Sequence, residues 1–416
     1  MNFLFIHQNF PGQFLHLVRH LVQQEDHRVT FITQSNGNRI NGVDLIVYQT
    51  FRESSPQTHH YLSDLERGVI AGQAVYEIGL GLKKNGYRPD VVIGHCGWGE
   101  TLYVKDVWPD VPVLGYFEFY YLFSGGDIGF DPTTPIHIND APRIRTKNAI
   151  NHLSFDSVDW GLTPTRWQWS LYPDRMRRRI SIIHEGVDTD IVRPEPDAWI
   201  MLADGRRLTR SDRIVTYVAR NLEPYRGFHI FMRALPRILH DWPDAQVLIV
   251  GGDGVSYGPP PPPGKTFREL MLGELGSIDL SRVHFVGSLP YARYLNVLQI
   301  SAAHVYLSYP FVLSWSCLEA MAAGCAVIGS ATIPVEEAVV DGETGLLFNF
   351  FDPDALAGRV GEVLGHEDRM RDMRDRARQY AVQNYDVKLV TLPRQLELIQ
   401  NVSVGNLSGY DTTKFL

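Results

Sequence analysis

One carboxylate in this chain stands where an apolar residue would be ordinary. Glu319 lies about one turn into SCLEAMAAG, 316–324, an otherwise small and apolar helix that Gly324 closes as a C-cap glycine. An apolar run starting at Val305 precedes the helix, and a second run, 325–328, follows at once. Strand, turn, helix, strand is a βαβ unit, and the helix N-terminus behind such a strand offers free N–H groups and a positive dipole to a ligand. Glu319 is therefore expected to face a ligand. Arg220 and Arg226 bracket another strand-to-helix turn, RNLEPYRG at 220–227; two guanidinium forks in such a turn can hold a diphosphate from two sides. His95 ends the strand-like run DVVIG, 90–94, in the Gly-rich turn HCGWGE, and Glu118 comes after the apolar run 111–117. His95 contacts a ligand or caps the next helix; Glu118 is paired with an arginine or placed for chemistry, and these alternatives stay open. So do the two for Gly12, which lets a diphosphate approach the backbone or simply serves its turn.

Such residues need parallel strands with helices between them. Residues 3–6 form a buried first strand, 7–13 a turn, and 14–24 have helical spacing at Phe14, Leu15, Val18, Leu21 and Val22. Strands are expected at 27–33, 43–48, 90–94, 111–119 and 160–162, with a long helix over 64–84 and a capped one from Thr163-Pro164-Thr165. The alternation restarts with strands at 214–219, 246–251 and 283–286 and helices at 228–239 and 291–301. Gly287 opens the turn after the third of these strands. Helices at 354–364, 370–384 and 386–399 close the chain, and 401–416 has the composition of a loosely held end.

The 416 residues are too many for one ordinary core and suggest two domains of roughly 200 each. Expected boundaries are 1–195, 196–385 and a final 386–416, with 193–212, rich in Pro, charge and an Asp-Gly turn, as the linker. Net charge is −8, which argues against general nucleic-acid binding but leaves room for a local phosphate site. No apolar run approaches the ~18 residues of a membrane span, so membrane contact would be peripheral. Cys96, Cys317 and Cys325 have no metal-ligand spacing and no even disulfide count, fitting a reducing cytosol and small core residues.

Several features have bland explanations. The basic run DRMRRRI, 174–180, suits a solvated helix end, and less readily a phosphate or anionic membrane surface. Asp188 and Asp190 suit turns and caps more than a metal. The prolines at 259–263 form a stiff insertion. The Gly- and Pro-rich segment 122–147 is loop-like and long enough to shape a site.

Taken together, LEAMAAGCAVIGS at 318–330, VEEAVVDGETGLLF at 335–348, HFVGSLP at 284–290 and EGVDTD at 185–190 resemble retaining glycosyltransferases of family 4. The resemblance covers nearly the whole chain, tightly over 305–348. It implies the α/β GT-B fold: two facing Rossmann-like, doubly wound parallel-sheet domains, with a C-terminal helix crossing back to the N-terminal domain. It also implies a nucleotide-sugar donor held mainly by the C-terminal domain. By the resemblance Glu319 binds the ribose hydroxyls, Arg220 and Arg226 the diphosphate, Gly287 lies beside the base, and Gly12 belongs to the loop closing over the phosphates. The chain also departs from the pattern. Phe311 stands where the first glutamate of the family's pair belongs, Leu313-Ser314-Trp315 replace Phe-Gly-Leu with backbone N–H groups still directed to phosphate or sugar, and Glu118 replaces a histidine. These departures imply a divergent subfamily with a reshaped sugar pocket.

The expected reaction is transfer of a sugar to a hydroxyl acceptor, a glycan, lipid-linked or small molecule, with retention of configuration. Arg220, Arg226 and helix N-termini would neutralise the leaving group without a metal or other cofactor. His95 and Glu118 would orient the donor sugar or the acceptor. A cytoplasmic protein, in peripheral contact with the inner face of the membrane where its acceptor is lipid-linked, fits this reading. The competing readings are a sugar-nucleotide epimerase or phosphorylase on the same fold, and a non-catalytic sugar-nucleotide-binding protein.

Overall fold

Apolar runs that are short, β-branched and bounded by turn residues become parallel strands. The computed structural model describes residues 1–407, and among these the first unit comprises Met1–Gly186 together with the chain from Val387 onward. Its sheet has seven strands: β1 Asn2–Ile6, β2 Arg28–Thr33, β3 Val43–Val47, β4 Val91–His95, β5 Val113–Tyr116, β6 Trp160–Thr163 and β7 Ile180–Ile182. They lie in the order β3-β2-β1-β4-β5-β6-β7, all parallel. Both faces are covered, as the period of two in β1 shows. Phe3 and Phe5 enter one core with Phe14, Leu17 and Val18, while Leu4 and Ile6 enter another with Ala74, Val75 and Trp108. The closing helix Leu392–Ser403 packs Leu398, Ile399 and Val402 into the first of these cores.

The second unit, Val187–Asp386, has six parallel strands: β10 Ile214–Asn221, β11 Gln246–Gly252, β12 Val283–Gly287, β13 Ala303–Tyr306, β14 Val327–Ser330 and β15 Leu346–Phe348. Their order is β12-β11-β10-β13-β14-β15. A small antiparallel hairpin, β8 Trp199–Met201 and β9 Arg207–Thr209, precedes them. Strand order reverses between β1 and β4 in the first unit and between β10 and β13 in the second. Such switch points are where doubly wound sheets take ligands.

Four expectations change. The segment 193–212 is not a bare linker: it carries the hairpin, and the chain enters the second unit at Val187 and leaves it after Asp386. The run 111–119 is a strand only at Val113–Tyr116, so Glu118 lies past the sheet's C-terminal edge. Residues 122–147 end in a helix, Asp140–Lys147, rather than a loop throughout. The last helix reaches Ser403 with Val402 buried, so the expected loose end does not begin at 401; its part at 408–416 lies outside the described residues.

One buried group sets an acid limit on stability. His304 of β13 is fully buried, with Nδ1 2.8 Å from Thr216 Oγ1 and no partner for Nε2 among the described residues, and burial lowers its pKa from 6.5 to about 3. The unfolded chain takes up a proton near pH 6.5 that the folded unit refuses until about pH 3. Stability is therefore expected to fall across that window by on the order of 1 kcal/mol per pH unit from this residue. Urea midpoints measured between pH 7 and 4.5 check it, and His304→Gln should flatten the slope.

Candidate active site

In the first unit the reversal of strand order brings two histidines together. His7 follows β1 and His95 ends β4; their ring centroids are 4.7 Å apart and both rings are buried. Each ring is held by the backbone two residues on, the Asn9 N–H donating to His7 Nδ1 at 2.8 Å and the Gly97 N–H to His95 Nδ1 at 3.1 Å. An N–H can only donate, so both Nδ1 atoms are acceptors and each Nε2 carries the proton. His95 Nε2 lies 3.3 Å from Glu118 Oε2. His7 Nε2 donates to Gln13 Oε1 at 2.7 Å, and Gln13 Nε2 donates to Glu118 Oε1 at 2.8 Å.

The Glu118 backbone is fixed as well, its carbonyl accepting from Gln168 Nε2 at 2.6 Å. Burial pushes the Glu118 carboxyl upward, but the His95 hydrogen bond, the charges of His95 and His7 and the Gln13 bond outweigh it, leaving it below the usual range. Burial first, and then the neighbouring His95, press His7 down to about 3. The site is a carboxylate that accepts from His95 and Gln13, with 27% of the Glu118 side chain exposed. The pairing partner of Glu118 is thus a histidine, His95, and not an arginine. Gly12 has φ +53°, and a Cβ there would come within 2.9 Å of His7 Nε2. Packing against the imidazole is reason enough for the glycine.

In the second unit Arg226 ends the short turn Pro224–Arg226 behind β10. Next to it Gly227 has φ +69°, and a Cβ would lie 2.4 Å from that of Leu307, so only glycine brings this turn against the chain after β13. Arg226 is buried, and its Nη1 donates to Ser308 Oγ at 2.8 Å, Val312 O at 3.0 Å and, at 3.4 Å, the Tyr306 hydroxyl. The Tyr257 ring lies 5.0 Å from its guanidinium carbon. All of these partners are neutral, and no carboxylate lies at ion-pair distance among the described residues. Burial works against the charge, yet Tyr306 and Tyr257 outweigh it and keep the guanidinium protonated. Arg220, at the end of β10, is exposed and makes no side-chain hydrogen bond among the described residues.

Glu319 is nearly buried in the helix Trp315–Ala322, and its two oxygens accept from the Tyr291 and Tyr294 hydroxyls, each at 2.7 Å. Burial raises its pKa, and the two tyrosine bonds recover only part of that. The Ser314 N–H at the start of this helix donates to the Tyr306 hydroxyl at 2.8 Å, so one N–H group expected to face phosphate or sugar is already engaged. Leu313 is buried beside it and Trp315 half-buried. Gly287 has φ +67° with open space around it. Phe311 packs against Tyr257 at 5.1 Å and Tyr225 at 5.9 Å, in a group that Tyr309 and Phe350 extend.

Sequence reasoning passed over His7, Gln13 and Glu223. The rule that selected His95, a histidine at the C-terminal end of a buried strand, applies equally to His7. Glu223 is fully buried and accepts from the backbone N–H groups of Ser256, Tyr257 and Gly258 at 3.0, 3.1 and 3.0 Å. It fixes the loop that carries Tyr257 to Arg226, and nothing local marks it. The basic run at 174–180 is largely structural: Arg177 pairs with Asp174, Arg175 bonds His152, and Arg179 donates to the Val158 and Asp159 carbonyls. Asp188 makes a turn, accepting from the Asp190 N–H at 3.2 Å.

Two family models match the chain, "Glycosyl transferase family 4 group" over residues 25–192 and "Glycosyl transferases group 1" over 204–380. Among curated proteins, the chain is 28% identical over 216 residues to a GDP-mannose-dependent α-(1-6)-phosphatidylinositol monomannoside mannosyltransferase of Mycolicibacterium smegmatis. That match covers 48% of this chain and 51% of the relative. It is 28% identical over 233 residues to a D-inositol 3-phosphate glycosyltransferase of Corynebacterium urealyticum, covering 54% of this chain and 53% of the relative. The chain thus spans about half the length of the curated relatives it matches. In fold it is similar to sucrose-phosphate synthase from Thermosynechococcus elongatus, with TM-score 0.70 and 18% identity over 97% of this chain and 100% of that one. It is also similar to HepE of Anabaena in complex with UDP-glucose, with TM-score 0.68 and 15% identity over 99% of this chain and 100% of that one.

Proposed function

The chain belongs to the group-1 glycosyl transferases, and from that premise we propose that it moves a sugar from a nucleotide diphosphate sugar to a hydroxyl acceptor with retention of configuration. The observation that carries the reading is Arg226. A buried guanidinium surrounded by neutral partners is costly unless an anion completes it, and the end of a doubly wound sheet is where a diphosphate would do so. Arg220, exposed at the end of β10, supplies a second positive charge. Together they would neutralise the leaving diphosphate as the C1–O bond breaks, so the reading assigns that task to arginines rather than to a metal.

The leaving phosphate itself would take the acceptor's proton, and no protein nucleophile is invoked. Glu118 and His95 hold a hydroxyl of the sugar or the acceptor. Glu319, with Tyr291 and Tyr294, would meet the ribose, its carboxylate oxygens keeping spare lone pairs beyond the two tyrosine bonds. GDP-mannose and UDP-glucose are the donors to try first: the Mycolicibacterium smegmatis relative is GDP-mannose-dependent, and Anabaena HepE is in complex with UDP-glucose. An inositol-bearing acceptor, free or lipid-linked, is the corresponding acceptor class. Among the described residues no helix is long and apolar enough to cross a membrane; the reading places the protein in the cytoplasm, with peripheral contact at the inner face where the acceptor is a lipid.

The test incubates purified protein with each donor, alone and with inositol phosphate or phosphatidylinositol vesicles. Slow release of nucleoside diphosphate, accelerated by an acceptor, is the expected result, with the anomeric proton coupling of the product reporting retention. Donor binding by thermal shift with no release under any condition would replace this reading by that of a sugar-nucleotide-binding protein.

A further inference from the structure

The partly exposed Glu118 side chain is reached by a chain of donors that runs deeper into the first unit than its contact with His95 requires. We propose that His7 and Gln13 are positioning residues that hold the Glu118 carboxylate in one orientation for a hydroxyl of the substrate. This rests on the reading of Glu118 given above.

The direction of every bond in the chain is determined from its buried end. The Asn9 N–H donates to His7 Nδ1, so His7 must donate through Nε2. Its acceptor is Gln13 Oε1, which orients the amide with its nitrogen towards Glu118 Oε1. From the other side the Gly97 N–H fixes His95 in the same tautomer, with Nε2 against Glu118 Oε2. Each oxygen of the carboxylate thus meets one donor from the protein, and each retains a lone pair. No donor along this path can turn into an acceptor without breaking a buried hydrogen bond, so a protonated Glu118 finds no acceptor in Gln13 or His95. The exposed edge of the group can then only accept, which is what a sugar or polyol hydroxyl needs.

The titratable groups facing Glu118 are His7, His95 and the hydroxyls of Tyr116, Tyr121 and Tyr172; burial, with the Glu118 charge adding to it, raises all three tyrosines and keeps them neutral. Tyr116 directs its hydroxyl away, to Glu185. The part of the activity that needs the Glu118 charge therefore belongs to the acid side of the profile. Its carboxyl is held low, so activity is present above its pKa and is lost as pH falls through it.

The variant that isolates the chain is Gln13→Leu, which keeps bulk and removes the donor. With UDP-glucose or GDP-mannose, whichever turns over, the acid limb of its kcat profile should move up by about one pH unit, a tenfold loss on the acid flank, while donor KM changes less than twofold. An acid limb that superimposes on that of the parent, even at reduced kcat, would overturn the inference, because a merely structural residue lowers activity without moving the limb. The second measurement needs neither a variant nor turnover. In 15N-histidine-labelled protein, the neutral rings of His7 and His95 should both show Nε2–H tautomers at pH 8, and an Nδ1–H tautomer at either would overturn it. If no donor is turned over by the parent protein, the transferase reading fails, and the tautomers together with a 13C titration of Glu118 in parent and Gln13→Leu still decide this inference.

Discussion

Glu118→Gln is expected to lower sugar transfer by about 10²–10³-fold, the size of effect that follows loss of one fixed polar group at a reacting centre, with the melting temperature within about 2 °C of the parent. The substitution is nearly isosteric, but both protein groups reaching this side chain are donors: His95 Nε2 and Gln13 Nε2. A carboxylate accepts from both. An amide must turn its NH2 towards one of them, so it loses a hydrogen bond as well as its charge, and the exposed edge no longer presents a uniform acceptor. The fold should survive, because Glu118 lies beyond the end of β5 and its backbone stays anchored through the carbonyl to Gln168. Steady-state transfer rates beside a thermal melt make the measurement. Turnover within threefold of the parent in a folded variant would remove Glu118 from the site, and His95→Ala offers an independent check on the same pair.

Arg226→Met should weaken donor binding by about 10²-fold or more, since a buried cation whose protein partners are all neutral has its charge answered only when the phosphates arrive. Its effect on stability is expected to be modest, roughly 1–2 kcal/mol in either direction. Ser308 and the Val312 carbonyl lose a donor, while an uncompensated buried charge disappears. Arg226→Lys keeps the charge but loses the planar fork that suits phosphate oxygens, and it should fall between the two. Calorimetric titration of UDP-glucose and of GDP-mannose into the three proteins gives the comparison. Unchanged affinity in folded Arg226→Met would make the arginine a structural strut for the 308–312 turn, and the diphosphate would have to be sought at Arg220.

Much of the architecture is local in the chain and so was legible without coordinates. Short continuous apolar runs bounded by turn residues marked β1, β4, β10 and β13, and the lone carboxylate in SCLEAMAAG marked its helix. What misled was also local in kind. Apolar residues continue past Tyr116, yet the strand stops there, because the sheet's partners and not the composition decide where pairing ends. The hairpin at Trp199–Met201 and Arg207–Thr209 hid in a segment whose prolines and charges look like a linker.

By itself, the sequence determined that two doubly wound sheets alternate strand and helix, and which residue types stand at the ends of the strands: His95, Glu118, Arg220, Arg226 and Glu319. It did so because each of those placements depends on a few neighbours along the chain. Only the tertiary structure decided what these groups touch. Gln13 meets Glu118 across 105 residues, Ser308 meets Arg226 across 82, and Tyr291 reaches Glu319 across 28. Those partners follow from which strands lie side by side, β4 beside β1 and β13 beside β10, and strand order is set by the packing of the whole sheet. For the same reason a histidine, passed over in the turn after β1, became the inner end of the chain that holds Glu118.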